Sequence, residues 1–141
     1  MILIDSNVVI DMLGERGEWT EWSIDAVADA ATGDDLAITP VVIAEVAPRA
    51  GTLEAFMQGI GKFAVSVADL DAEAAYAAGV AFNKYRERKR AGAEAARSII
   101  ADFLIGGQAL VLDATIITRD PRFYRTYFPS VRLITPDKAD P

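Results

Sequence analysis

Short apolar runs rich in Ile and Val, each bounded by polar or turn residues, recur along the chain at residues 2–4, 36–39, 63–67, 115–118 and 131–134. β-branched residues in runs of this length predict strands, and runs that are apolar throughout suit a parallel sheet covered on both faces. Between them, longer mixed segments predict helices near residues 6–13, 18–32, 40–47, 52–60, 70–91, 97–111 and 121–127. The punctuation agrees: Thr39-Pro40 reads as an N-cap followed by proline at the first helical position, Pro48 ends that helix, and Gly33 can end the one before the second strand. Strands separated by helices of this length imply right-handed crossovers. No repeat, low-complexity tract or long linker divides the chain. The expectation is one α/β domain over residues 1–141, a three-layer α/β/α arrangement around a mainly parallel sheet of about five strands. Ligands of such sheets gather outside the carboxyl ends of the strands.

Composition narrows the chemistry. With 141 residues, 52% of them hydrophobic, the chain can bury a core of its own. It contains no Cys and no His, which excludes disulfide frameworks, thiolate zinc sites, Ser-His-Asp triads and histidine acid–base pairs. Catalysis, if present, uses oxygen ligands. The opening Met1-Ile2-Leu3-Ile4-Asp5 lacks the positive charge of a secretory signal, and Asp102, Gln108 and Asp113 break the apolar stretch from Ser98 to Thr118, so a cytoplasmic protein without a membrane segment is expected.

The net charge of −7 is unevenly spread: residues 1–83 carry 3 basic and 14 acidic side chains, residues 84–141 carry 11 and 7. An acidic protein repels phosphate on average, so a nucleic-acid partner requires a local basic surface or metal ions. Lys84, Arg86, Arg88, Lys89, Arg90 and Arg97, opposed in that interval by Glu87 and Glu94, form a candidate RNA-binding stretch, and Arg119, Arg122 and Arg125 extend it. A solvated helix end whose cations complement the helix dipole is the plainer reading of the same residues. Trp19, Trp22, Phe56, Phe82 and Tyr85 read as packing residues rather than base-stacking platforms.

Four acids stand out because they interrupt or abut apolar runs. Asp5 follows Ile2-Leu3-Ile4, Glu45 lies within Val41–Ala47, Asp102 interrupts Ile99–Ile105, and Asp120 follows Thr115-Ile116-Ile117-Thr118-Arg119. An ionised carboxylate at the edge of buried structure is costly unless it is paired, hydrogen-bonded or bound to a cation. Asp5 and Asp120 are also placed to cap the helices that follow them; Glu45 and Asp102 fall mid-helix, where capping gives no account of them. Asp113 reads as a solvated turn acid. Asp5 and Asp120 end strands on one carboxyl edge, and the helices bearing Glu45 and Asp102 can complete a cluster. Such a cluster repels itself unless a hard divalent cation compensates, and all-oxygen ligation suits Mg2+ or Mn2+.

The order Asp5-Ser6-Asn7, Glu45, Asp102-Phe103-Leu104-Ile105-Gly106 and Thr118-Arg119-Asp120 resembles the PIN domain, over nearly the whole chain. It is similar in particular to the VapC-type toxins of toxin–antitoxin pairs, and the tail Thr118–Tyr124, Phe128-Pro129 and Leu133–Pro136 matches their usual ending. The resemblance implies a ribonuclease with Asp5, Glu45, Asp102 and Asp120 as its acidic site, Asp5, Asp102 and Asp120 as metal ligands, and Asn7 and Thr118 as polar helpers. It also implies a homodimer and a cognate antitoxin. One departure is Gly107-Gln108, where relatives often carry a small residue and His. The activity expected is Mg2+-dependent hydrolysis of RNA phosphodiester bonds by activated water. A phosphoesterase acting on DNA or small phosphorylated molecules, or an inactive binding module of the same fold, are the other readings.

Overall fold

The computed structural model describes residues 1–92 and 100–136. In chain order the elements are β1 (Ile2–Ile4), α1 (Ser6–Leu13), α2 (Thr20–Ala30), β2 (Leu36–Ile38), α3 (Pro40–Ala50), α4 (Leu53–Gly61), β3 (Val65–Val67), α5 (Ala72–Arg90), α6 (Ile100–Leu112), β4 (Thr115–Ile117), α7 (Pro121–Tyr127) and β5 (Leu133–Ile134). Every predicted strand and helix is present with ends shifted by a few residues; the predicted start of the sixth helix at 97–99 lies outside the described residues. One correction concerns Pro48, which sits inside α3 rather than ending it. A proline removes its own N–H from the ladder and crowds the preceding turn without having to end the helix, and three residues further on Gly51, at φ 75°, provides the left-handed conformation that stops it.

All five strands are parallel, in the order β3-β2-β1-β4-β5. β1 and β2 are buried throughout, as an interior parallel strand covered by helices on both faces must be. Chain order runs outward from β1 through β2 to β3, then returns to place β4 on the other flank of β1. The direction of winding therefore reverses between β1 and β4, and a crevice opens there at the carboxyl ends. Ile4 is level with Ile117, so Asp5 and Thr118 leave the sheet side by side, tied by the Asp5 N–H to the Ile117 carbonyl at 3.0 Å.

α5 and α6 pack closely along their length. A Cβ at Gly107 would stand 2.6 Å from the Ala74 carbonyl oxygen and 2.7 Å from the Ala78 nitrogen, so only glycine lets the two backbones approach this far. Gly106 makes room in the same way for the Phe128 ring. Phe103, wholly buried, anchors an aromatic cluster joining α5, α6 and α7: its ring lies 5.1 Å from Phe82, 5.7 Å from Tyr85, 4.8 Å from Phe123 and 5.1 Å from Tyr127. Phe56 is buried and Trp22 packs against the core, as their reading as packing residues requires. Gln108, at the position where a His was the common alternative, is buried and its Nε2 donates to the carbonyls of Ala68 and Asp69 at 3.1 and 2.9 Å, fastening the β3–α5 connection. Among the described residues no helix is long and apolar enough to cross a membrane.

Gly107→Ala should destabilise the protein by about 1–3 kcal/mol, as overpacking of a backbone contact does. Gly79→Ala, where nothing lies within 4 Å of the added Cβ, should leave stability unchanged or raise it by roughly 0.5–1 kcal/mol through helix propensity. Denaturant unfolding of the pair checks the contrast; equal stabilities would show that α5 and α6 tolerate separation.

Candidate functional site

The β1–α1 turn carries a buried and tightly held acid. Asp5 is 4% exposed and serves as N-cap of α1, with the Ser6 N–H donating to Oδ1 at 2.7 Å. Its Oδ2 accepts from the Thr118 hydroxyl at 2.6 Å and from Asn7 Nδ2 at 3.1 Å. Capping and charge burial thus coexist at one residue. Burial pushes the Asp5 carboxyl above its ordinary value of 3.8, and the nearby Glu45 adds to the rise; the bonds from Thr118 and Ser6 oppose it without cancelling it.

The remaining acids reach the same place by different routes. Glu45, half-buried on α3, accepts a short hydrogen bond from the Ser6 hydroxyl, so consecutive residues of one turn hold two carboxylates. Asp102 lies on α6 close behind Ile100, and the residues before Ile100 lie outside those described. Asp5, Glu45 and Asp102 all act electrostatically on one buried group, the Tyr124 phenol, whose ionisation they and burial push well above its ordinary value. Asp120 joins differently. It is exposed, its N–H donates to Thr118 Oγ1 at 3.1 Å, and as N-cap of α7 it makes no side-chain capping bond, so the cap predicted for it does not form.

Asn7 and Thr118 are also linked to each other: Asn7 Nδ2 reaches Thr118 Oγ1 at 3.3 Å, and Asn7 Oδ1 accepts from the Arg119 N–H at 3.1 Å. Arg119 does not extend a basic track. Its guanidinium makes a two-pronged ion pair with Asp11, Nε to Oδ2 at 2.6 Å and a second nitrogen to Oδ1 at 3.2 Å, while the Ser23 hydroxyl donates to the same carboxylate at 2.8 Å and the Trp19 ring lies beneath at 5.9 Å. This clamp fastens the β4–α7 turn to α1 and α2, so that the turn presenting Thr118 to Asp5 is held from both sides. Asp113 behaves as expected: it is exposed in the turn after α6 at φ 49°, 3.7 Å from Arg132.

The basic stretch belongs to α5, which packs on α6 and α7. Lys84, Arg86, Arg88, Lys89 and Arg90 are exposed, the Arg88 guanidinium lies 6.0 Å from the Tyr127 ring of α7, and Tyr85 touches Phe103, the neighbour of Asp102. Arg97 lies outside the described residues. A concavity between α1, α3 and α4, lined by Ile10, Leu13, Val46, Arg49 and Phe56, includes none of the four acids. Sequence reading passed over three contributors: Ser6 as the holder of Glu45, the Asp11–Arg119 pair, and Tyr124. Ser6 and Tyr124 lay inside motifs already singled out, whereas nothing in the sequence links Asp11 to a residue so distant.

The raised Asp5 pKa has a definite sign. The fold favours the protonated carboxyl, so this residue's contribution to stability is complete below the unfolded value near 3.8 and is lost as pH rises through the folded value. Between pH 4 and pH 7, with chelator present, the Tm of Asp5→Asn should therefore shift in the variant's favour relative to the parent by roughly a few degrees. A difference independent of pH would show that Asp5 is not destabilised by its ionisation.

The sequence matches the PIN domain family over residues 2–129. No curated protein matches. Among solved structures, the chain is similar to VapBC2 from Rickettsia felis bound to a promoter DNA fragment, with a TM-score of 0.68, 19% identity, and 96% of this chain and 98% of that one covered. A toxin–antitoxin complex from Klebsiella pneumoniae gives a TM-score of 0.68 at 17% identity, covering 99% and 100% of the two chains. DNA-bound VapBC from Salmonella typhimurium gives 0.63 at 19%, covering 95% and 96%. At these identities the structures speak for the fold, and it is the fold expected from the VapC-type resemblance. With the family matched across all but the two ends of the sequence, this chain belongs to the PIN domain family.

Proposed function

We propose that this protein is a Mg2+-dependent endoribonuclease and the toxin of a toxin–antitoxin pair, with Asp5, Glu45, Asp102 and Asp120 as its acidic site. The observation that carries this reading is the meeting of Asp5, Glu45 and Asp102, from three distant segments, around one buried group at the sheet's switch point. Membership of the PIN domain family supports phosphodiester hydrolysis.

The donor chemistry fits a hard divalent cation: every acid offers oxygen alone, and Asp5 is destabilised when ionised by burial and by a neighbouring carboxylate, a cost that bound positive charge would offset. Among the described residues no three acids are already spaced as ligands of one ion. Asp5, Asp102 and Asp120 would hold it. What Mg2+, or Mn2+ in its place, supplies when bound is Lewis acidity, which activates water and offsets charge on the phosphodiester. The protein's own part is positional. Thr118, Asn7 and the Ser6 N–H fix Asp5, the Ser6 hydroxyl fixes Glu45, and the exposed Asp120 stands at the start of α7 on a turn fastened by Arg119. Arg86, Arg88, Lys89, Arg90 and Arg97 are proposed to hold the RNA backbone, overcoming locally the repulsion of an acidic chain.

The structures matched are described as VapBC and toxin–antitoxin complexes, which supports a cognate antitoxin for this chain; a homodimer and a cytoplasmic location belong to the same proposal on the strength of the sequence resemblance alone. Exposed apolar side chains, among them Leu53 and Met57 on α4, Tyr76 and Val80 on α5 and Leu110 and Leu112 on α6, offer surface for protein partners.

Asp102→Asn should abolish Mg2+-dependent cleavage of RNA while leaving metal-free stability equal or higher, since one repelling charge is removed. Assays on RNA, DNA and a small phosphodiester, each with and without Mg2+, check this; full activity in the variant overturns the site, and turnover of DNA or the small ester alone overturns the substrate. Replacing Arg88, Lys89 and Arg90 by Gln should weaken RNA binding and flatten the log–log salt slope by about 0.7 for each lost phosphate contact with a single strand. An unchanged slope would remove the basic stretch from the RNA-binding surface.

A further inference from the structure

The hydroxyls buried around the acids have partners, with one exception. Thr118 donates to Asp5, Ser6 to Glu45 and Ser23 to Asp11. The Tyr124 hydroxyl, on a side chain 1% exposed, has no hydrogen-bond partner among the described residues. It faces Asp5, Asp102 and Glu45, lying near Asp5 but outside good hydrogen-bond geometry. Packing does not require that oxygen. A phenylalanine would fill the same space in the aromatic cluster, where Phe123 already stacks edge-on against Tyr124 at 5.2 Å. A buried donor left unsatisfied is costly and calls for an account in terms of what it meets in another state. The other orphaned buried atom, Oε1 of Gln108, belongs to an amide already held by two bonds on the β3–α5 connection and needs none.

We propose that Tyr124 is a positioning residue of the acidic site, its hydroxyl hydrogen-bonding the Asp5 carboxylate when that carboxylate holds a divalent cation. The inference rests on the reading of the pocket as a cation site. In the metal-free form Asp5 Oδ2 is restrained by Thr118 and Asn7 and Oδ1 by one N–H. An ion taken up by this carboxylate competes for its lone pairs, and a donor from α7 would hold the group in place. A neutral donor suits the task because a Lys or Arg at the same point would cancel the charge that attracts the ion.

The test compares the parent with Tyr124→Phe by calorimetric titration with Mn2+, by thermal unfolding in chelator, and by steady-state RNA cleavage. The Phe variant should unfold at the parent's temperature or higher, bind Mn2+ roughly tenfold more weakly, as loss of one hydrogen bond to a charged group gives, and lose kcat with KM for RNA little changed. Mn2+ affinity and kcat equal to the parent's, or weakening accompanied by a fall in Tm, overturn the proposal and leave Tyr124 a packing residue, while the nuclease reading stands. A parent that binds no Mn2+ and cleaves no RNA overturns both.

Discussion

A carboxyl group is buried where the two central strands leave the sheet, and much of the architecture answers to it. Asp5 is held by donors from its own turn and from Thr118, more than a hundred residues away, and those bonds oppose but do not cancel the cost of its burial. The pairing of β1 with β4 makes the arrangement possible, because parallel neighbours in register deliver the residues after Ile4 and Ile117 to one spot. The cost of placing charge there is borne by a core whose interior strands β1 and β2 are wholly apolar.

The second support is mechanical. Glycine at 107 draws α6 against the backbone of α5, and the aromatic cluster around Phe103 locks both helices to α7. Asp102 precedes Phe103 and Tyr124 follows Phe123, so the packing of two rings sets where a carboxylate and a phenol stand. Precision at the site derives from an apolar contact behind it, since side chains in a dense core have few alternative rotamers.

Charge is sorted by neighbourhood rather than by total. The acidic pocket, the Asp11–Arg119 clamp and the basic end of α5 lie within the space of a few helices, each with its sign balanced differently. The clamp neutralises an arginine that the sequence alone would add to a cationic surface. Arg88, leaning on Tyr127, carries the basic stretch toward α7 instead.

Periodicity and run length were enough to locate five strands and seven helices, because those signals are local: β-branched runs, caps and helical spacing act within a turn or a strand. The four acids were legible too, since a carboxylate among apolar residues is conspicuous in one dimension. Pro48 misled because a proline near the end of a helix withdraws one bond, whereas the stop belongs to the left-handed backbone at Gly51. Tertiary structure alone decided that Ser6 holds Glu45, that Asp11 takes up Arg119, that Asp120 remains exposed and that the Tyr124 hydroxyl faces the acids. Each of these depends on the directions in which side chains from distant segments leave a twisted sheet and its covering helices, and no local property of the chain encodes the meeting of residues that only folding brings within reach.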